Sequence, residues 1–221
     1  AEAGNEEDVQ NVEGAVANGN DTDQMPIMTR VNQPGGTLYT EEAERVEKIQ
    51  SSFRKLECLV EVDLSCNKDI SDSIISSMLI SRGAHLRSLN ISGCNLLTDR
   101  SIKAITLNAK RLRLLGISFL KNLTTDALKD ISKLKKLESL ELSHCTSNLD
   151  PVFQRLVGLM FLKDIDISGC SNITSDGMVS ISHIKSLEHI NCSHMALNSI
   201  KDLVPFAELP NLKSLNMQYQ N

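Results

Sequence analysis

The chain has 221 residues, a length that suits one large domain or two small ones with a substantial core. Hydrophobic residues make up 41% and charged residues 23%, which excludes a chain that is disordered throughout, and the 3% aromatic content implies an aliphatic core. No run approaches the roughly 18 apolar residues of a membrane span, and a net charge of −5 gives no general attraction to nucleic acid.

The chain begins with an acidic, polar segment. Residues 1–40 carry seven acids and a single base, Arg30, and they contain few bulky apolar side chains. Such a composition buries too little surface to offset the entropy of ordering, so residues 1–39 are predicted to be disordered. The segment lacks the basic and apolar regions of a signal peptide.

Residues 40–58 are predicted to form an N-terminal capping helix. Thr40 is a suitable N-cap, and acidic residues follow it at the positive end of the helix. Apolar residues then recur at helical spacing: Val46, Ile49, Phe53 and Leu56. A helix with one apolar face covers the end of a repeat stack and leaves its other face in water.

Residues 59–221 contain one pattern seven times. An apolar-x-x-apolar-x-apolar motif recurs every 25–27 residues and starts at Leu59, Leu86, Leu112, Leu137, Leu162, Leu187 and Leu212. Serine follows the motif in six consecutive repeats, at Ser65, Ser92, Ser118, Ser143, Ser168 and Ser193. Residues two apart on a strand point to one side, so the motif predicts a short strand with its apolar residues inward. Helical spacing follows, and each repeat is predicted as strand, turn, helix and return.

Other positions in the repeat have predicted structural roles. Cys94, Cys145 and Cys170 are predicted to fill the turn after the strand as small buried thiols. The chain has six cysteines and no CxxC pair, so reduced thiols are favoured over a disulfide between repeats. Threonines before the helical stretches are predicted N-caps: Thr98, Thr125 and Thr174.

The segments LRSLNISGCNLLTDRSIKAI, LESLELSHC and LKDIDISGCSNITSDGMVSI resemble leucine-rich repeats of the cysteine-containing subtype found in F-box substrate adaptors. The run LELSHCT is also similar to leucine-rich repeat proteins of trypanosomes. The resemblance covers residues 59–221 and implies an α/β solenoid like that of ribonuclease inhibitor. In this horseshoe the parallel sheet lines the concave face and the helices form the convex face. No polar cap follows the seventh strand, so a domain truncated at its C-terminus is expected.

Three columns of side chains are predicted to line the concave face. The first column is Glu61, Ser88, Leu114, Ser139, Asp164, His189 and Ser214. The second column is Asp63, Asn90, Gly116, Glu141, Asp166, Asn191 and Asn216. The third column is Cys66, Gly93, Phe119, His144, Gly169, His194 and Tyr219. None of the three columns contains Lys or Arg.

This concave face is the predicted binding site for a protein partner. Leu114 and Phe119 are the predicted apolar anchor. Polar contacts around it are predicted for Glu141, His144, Asp164, Asp166, His189, Asn191, His194 and Tyr219. The acids among them would attract a basic ligand. The alternative is a solvated strand face on which Phe119 packs against its neighbour.

Catalysis and metal binding are disfavoured by spacing. His189 and His194 lie about 16 Å apart along an extended chain, and His144 and His194 about 10 Å apart across two repeats. Zinc ligands must all lie near ~2 Å from one ion. The sequence also lacks a phosphate-binding loop, a nucleophile elbow and a zinc-protease motif. No catalytic residue, metal, cofactor or small-molecule substrate is therefore expected.

The favoured prediction is a non-catalytic protein–protein interaction module that acts as an adaptor or regulatory subunit. The alternatives are the substrate-recognition part of an F-box-like ubiquitin-ligase adaptor and an architectural subunit of a large complex. Basic groups at residues 110–113 and 133–136 are interpreted as solvated helix ends rather than as a ridge for RNA or an acidic partner. Glycosylation sequons at Asn90 and Asn191 fall on the binding face, which favours an intracellular protein, cytoplasmic or nuclear.

Overall fold

The computed structural model describes residues 37–195 and 200–219. Residues 1–36, most of the segment predicted to be disordered, lie outside these ranges. The first described element is helix α1 (Thr37–Arg54), which differs from the predicted span of 40–58 at both ends. Thr40 lies inside α1 and is not its cap, because residues 37–39 contain no glycine or proline to stop the helix. Tight turns replace the helix after Arg54, where the Lys55 N–H donates to the Ser52 carbonyl.

Seven short parallel strands form one sheet in the order of the chain. The strands are β1 (Glu61–Asp63), β2 (Ser88–Asn90), β3 (Leu114–Gly116), β4 (Ser139–Glu141), β5 (Asp164–Asp166), β6 (His189–Asn191) and β7 (Ser214–Asn216). Each strand pairs with the next in a register that places equivalent repeat positions side by side. The predicted fold class is confirmed: an α/β solenoid with a parallel sheet.

A helix or 3₁₀ segment follows each strand up to β6. The α-helices are α2 (Asp72–Arg82), α3 (Asp99–Asn108), α4 (Thr125–Lys129), α5 (Asp150–Leu156) and α6 (Ser175–Ser182). The 3₁₀ segments are Gly83–His85, Asp130–Lys133 and Ile200–Glu208. Each helix packs against its neighbour in the next repeat. Within the described ranges, no helix combines the length and apolar character that crossing a membrane would require.

The core lies between the sheet and the helices. The middle residues of β2 to β6 are almost completely buried: Leu89, Leu115, Leu140, Ile165 and Ile190. The core is aliphatic, as the composition predicted, and Phe153 on α5 is the largest side chain fully enclosed in it. At the far end of the described chain, Leu215 is only partly buried and Met217 is exposed. Burial is therefore most complete in the central repeats.

Three of the helices begin at capping threonines that also tie one repeat to the next. Thr98 and Thr174 cap α3 and α6 as predicted, whereas Thr124, not Thr125, caps α4. Three of these repeats share one link, in which the capping threonine donates its N–H and hydroxyl to an aspartate at the start of the preceding helix. The pairs are Thr98 with Asp72, Thr124 with Asp99 and Thr174 with Asp150. We call these pairs the Asp–Thr links.

The buried cysteines occupy the turn positions predicted for them. The Cys94 thiol donates to the Leu64 carbonyl at 3.0 Å, and the Cys170 thiol donates to the Leu142 carbonyl at 3.2 Å. Cys145 and Cys192 are also buried, while Cys58 and Cys66 are exposed, and none of the six cysteines forms a disulfide. These contacts run from one repeat to the preceding one, so the thiols help to join neighbouring repeats.

Candidate functional site

The open face of the sheet is formed by the strand side chains that point away from the core. In β1 the middle residue Val62 is buried while Glu61 and Asp63 are exposed. In β4 and β6 the middle residue is likewise buried, and of the two outer residues one is exposed and the other half-buried. The strand register aligns the first and second predicted columns, from Glu61 beside Ser88 to Asn191 beside Asn216. We use the name open face for the three columns defined above.

Two shallow depressions lie along the open face. The first has a volume of about 430 Å³ and lies over β1 to β4, where Leu114 and Glu141 line it. The second has a volume of about 280 Å³ and lies over β4 to β7, where Asp164, Asp166 and His189 line it. Ser139 and Glu141 of β4 line both depressions. The face is therefore a shallow trough that crosses the strands.

Hydrogen bonds hold the second column in place near both ends of the sheet. Asp63 accepts from the Ser65 N–H and from the Asn90 amide, and the Ser65 hydrogen bonds lower the pKa of the Asp63 carboxyl. Asp166 likewise accepts from the Ser168 N–H at 2.8 Å and from the Asn191 amide at 3.0 Å. Each carboxylate is thereby held in one orientation toward the trough.

The centre of the second column is built differently. Gly116 carries no side chain, and a Cβ there would lie 2.5 Å from the Asn90 Oδ1 and 3.2 Å from the Glu141 Oε2. The neighbouring side chains thus reach into the space above Gly116. Partial desolvation, together with the charges of Asp166 and Asp63, raises the pKa of the Glu141 carboxyl. The Glu141 carboxylate accepts no hydrogen bond among the described residues, so a cationic group on a partner would stabilise its charge.

All seven residues of the third column adopt a left-handed backbone. Their φ values run from 53° at His144 to 72° at Gly93. Each of the first six donates its backbone N–H to the next repeat, as Phe119 does to the Ser143 carbonyl at 2.9 Å. Sequence reasoning missed this conformation, although glycine at two of the seven positions was a signal for it.

The rings of the third column stack in two pairs. The Phe119 and His144 ring centroids are 4.4 Å apart with an interplanar angle of 18°, and those of His194 and Tyr219 are 4.7 Å apart at 11°. Phe119 lies beyond the end of β3, whereas Leu114 lies at its start. The predicted anchor residues therefore occupy different edges of the open face. Of the remaining predicted contacts, His189 lies at the start of β6 and Asn191 at its end.

A fourth column, one residue before the first, carries charges that alternate in sign from Arg113 onward. Its members are Val60, Arg87, Arg113, Glu138, Lys163, Glu188 and Lys213. Arg113 pairs with Glu138 at 3.4 Å, and Glu188 pairs with both Lys163 and Lys213. Hydrogen bonds from Lys213 and Lys163 lower the pKa of Glu188 to about 2. The same repeat period that revealed the other columns would have revealed this one.

Two remaining predictions concern the role of the basic groups near the helix ends and the possibility of a metal site. Lys133 pairs with Asp130 at 2.8 Å, and the Lys136 Nζ lies 5.0 Å from the centroid of the Phe161 ring. These contacts agree with the interpretation of this group as solvated helix ends. Among residues 37–195 and 200–219, no three His, Cys, Asp or Glu side chains are grouped to hold a metal ion.

The repeat geometry agrees with a comparison against protein families. A family profile described as "Leucine Rich repeat" matches residues 55–79, 84–105 and 158–182. The chain contains leucine-rich repeats. A search of curated proteins gives no match to the leucine-rich repeat chain.

Solved structures of the same fold include two that differ widely in sequence from this leucine-rich repeat protein. One is internalin C2 from Listeria monocytogenes, with 15% identity, a TM-score of 0.53, and coverage of 78% of this chain and 80% of that chain. The other comes from the Rad7 and Elc1 complex of yeast, with 20% identity, a TM-score of 0.58, and coverage of 83% of this chain and 49% of that chain. This chain therefore spans about half of the yeast chain. At such identities the likeness establishes the fold alone.

Proposed function

We propose that this leucine-rich repeat protein is a non-catalytic binding module that holds a protein partner on the open face of its sheet. The observation that carries the proposal is the trough over β1 to β7, lined by side chains at fixed intervals. A sheet whose strands are locked by neighbouring repeats presents these side chains with little entropy left to lose on binding.

The charge of the open face supports a protein with a basic segment as the partner. Glu61, Asp63, Glu141, Asp164 and Asp166 all lie in the first two columns, and the three columns contain no Lys or Arg. Such a face repels the phosphates of nucleic acid and attracts cationic side chains. The separation of the histidines into different stacked pairs supports a binding role over a catalytic one.

Site-specific photo-crosslinking tests which face binds. A photoreactive amino acid is placed at Ser139, which lines both depressions, and in a matched variant at Lys103, an exposed residue of α3. In extracts of the native cells, we expect the Ser139 variant to form a discrete crosslinked protein species that the Lys103 variant lacks. Crosslinks from Lys103 alone would overturn the proposal.

Charge reversal tests whether the same species depends on the acidic columns. The variant Glu141→Lys with Asp166→Lys should abolish the Ser139 crosslink. The matched control, Asp126→Lys with Asp176→Lys, changes net charge equally but on the exposed starts of α4 and α6. Circular dichroism checks that each variant is folded. Equal crosslinking in both variants would exclude the acidic columns as the contact.

The adaptor role is the finer part of the proposal. The yeast structure of the same fold is of a complex between Rad7 and Elc1, which supports a chain of this kind acting within an assembly. The ubiquitin-ligase adaptor and the architectural subunit are the alternatives. Purification of the native protein distinguishes them, since an architectural subunit co-purifies with its partners at fixed stoichiometry and an adaptor exchanges them.

We also propose an intracellular location. The buried thiols donate hydrogen bonds in their reduced form, and the Asn90 and Asn191 amides of the open-face sequons donate to Asp63 and Asp166. A glycan on either amide would disturb that hydrogen bond. Mass spectrometry of the native protein should find Asn90 and Asn191 unmodified, and glycans there would overturn the proposed location.

A further inference from the structure

The stacked rings of the third column are not explained by stability. Phe119 is 48% exposed and Tyr219 is 70% exposed, so burial repays little of the cost of their left-handed backbones. Glycine meets the same backbone requirement at Gly93 and Gly169 without that cost. Rings at four of the seven positions therefore suggest a use that glycine could not serve.

The rings of the third column form two stacked pairs, and the position between the two pairs has no ring. Neighbouring ring centroids lie 4.4 Å and 4.7 Å apart, which is close to the spacing of about 4.8 Å between strands. Gly169 separates the Phe119–His144 pair from the His194–Tyr219 pair and contributes no ring. The His144 ring leans over Gly169, where a Cβ would lie 2.4 Å from its Cε1. We call the interval between the rings of His144 and His194 the ring slot.

The width of the ring slot suits one flat group. His144 and His194 lie two repeats apart, so their rings are separated by about two strand spacings, or about 9–10 Å. A planar group midway would contact both rings at the distance at which the rings contact each other. The backbone is fixed on both sides, because His144 and His194 donate their N–H groups to the carbonyls of Ser168 and Gln218.

Acidic groups lie beside the ring slot. Asp166 precedes Gly169 by three residues on the same repeat, and Glu141 stands next to Asp166 across the sheet. The Asp166 carboxylate is oriented by its two hydrogen bonds, whereas the Glu141 carboxylate accepts none among the described residues. Flat rings and unneutralised carboxylates together select a group that is planar, cationic and rich in donors.

We propose that the ring slot binds an arginine side chain of the protein partner, with the guanidinium stacked between His144 and His194 and hydrogen-bonded toward Asp166 and Glu141. This inference rests on the proposed function of the open face and names the residue that the face recognises. A guanidinium stacks on rings and donates in a plane, whereas a lysine ammonium does neither as well. A nucleobase also stacks, but its phosphates would meet the acidic columns.

A pair of labelled peptides tests the slot without the native partner. One short peptide carries arginines spaced by glycine, and the other carries lysines at the same positions. Fluorescence anisotropy of the full chain should show about fivefold tighter binding of the arginine peptide, as expected for stacking on two ring faces. Removing both rings by His144→Ala with His194→Ala should bring the arginine peptide to the affinity of the lysine peptide.

Two further variants separate the ring contribution from charge. Glu141→Gln should weaken the binding of both peptides, because it removes a charge and leaves the rings in place. His183→Ala, an exposed histidine at the end of α6, should change neither affinity. Equal binding of the two peptides to the native chain, or tighter binding of a single-stranded RNA, would overturn the arginine slot. The crosslinking experiment would still report separately on the open face, so the two proposals can fail independently.

Discussion

Along each strand, neighbouring side chains belong to two regions that follow different rules. In β3, Leu115 is buried in the core while Leu114, one residue earlier, is 45% exposed on the open face. The core positions of the sheet repeat the same aliphatic types from β1 to β7, whereas the first column of the open face changes from leucine at Leu114 to aspartate at Asp164 and histidine at His189. The core must fill a fixed volume in every repeat, so its residues vary little. The open face has no such restriction and is free to specify a partner.

The largest expected effect comes from removing the same atoms on the two sides of β3. Leu115→Ala should lower the free energy of unfolding by about 2–5 kcal/mol, because it leaves a cavity in the core. Leu114→Ala should change it by less than about 0.5 kcal/mol, since the side chain is half in water. Urea denaturation of both variants measures the difference. Similar losses in the two variants would contradict the division into core and open face.

The buried thiols allow a second test of the core, through the pH dependence of the unfolding free energy. Burial raises the pKa of Cys170 to about 12 and that of Cys192 to about 11. In the unfolded chain each thiol loses its proton near pH ~8.5, so its stabilising contribution is complete below that pH and is lost as pH rises toward the folded value. The free energy of unfolding should fall above pH ~9 by about 1.4 kcal/mol per pH unit for each such thiol.

Two measurements check the thiol prediction. Above pH ~9, Cys170→Ala should reduce the fall of the unfolding free energy with pH by about 1.4 kcal/mol per pH unit, the contribution of one proton. Alkylation of the native protein near neutral pH should modify the exposed Cys58 and Cys66 and spare the four buried thiols. An unchanged slope in the variant, or rapid alkylation of Cys170, would contradict the protected state of the core thiols.

The Asp–Thr links extend the comparison to the starts of the helices. Asp150→Ala removes the acceptor of the Thr174 N–H and hydroxyl and should lower the unfolding free energy by about 1–2 kcal/mol. Asp126→Ala is the matched control, since Asp126 also lies in a first helical turn but pairs only with Lys129 of its own helix. Asp126→Ala should lower the unfolding free energy by less than Asp150→Ala does. Equal losses in thermal denaturation would mean that the links between repeats contribute nothing beyond helix capping.

The smallest effect is expected to have the opposite sign. Cys66 is exposed and has a φ of 58°, so Cys66→Gly should raise the unfolding free energy by up to about 1 kcal/mol by relieving the left-handed backbone. Cys94→Gly, one repeat later in the buried turn position, should lower it, because it removes a core thiol and its hydrogen bond to Leu64. A loss of stability in Cys66→Gly would show that the left-handed position carries no strain.

Most of the fold could be predicted because each repeat contains the complete pattern of strand, turn and helix. The spacing of Leu86, Leu89 and Ile91 recurs with little variation, and a period of 25–27 residues brings every strand beside the next in one register. Helix ends were less predictable. Thr124 and Thr125 are chemically equivalent, and the prediction chose the wrong one. The repeat register distinguishes them, since Thr124 follows Leu120 by four residues as Thr98 follows Cys94, and in the structure Asp99 accepts from Thr124.

The candidate site was likewise predictable only in part. The sequence alone determined which residues share a column and that these columns carry acids without bases, since both follow from strand alternation and the repeat period. Only the tertiary structure decided that Phe119 stacks on His144, that Asp166 is held by Asn191, and that Leu114 and Phe119 lie at different edges. These contacts depend on the backbone conformation after each strand, which strand periodicity does not encode, and on side chains of adjacent repeats that lie 25 residues apart in the chain.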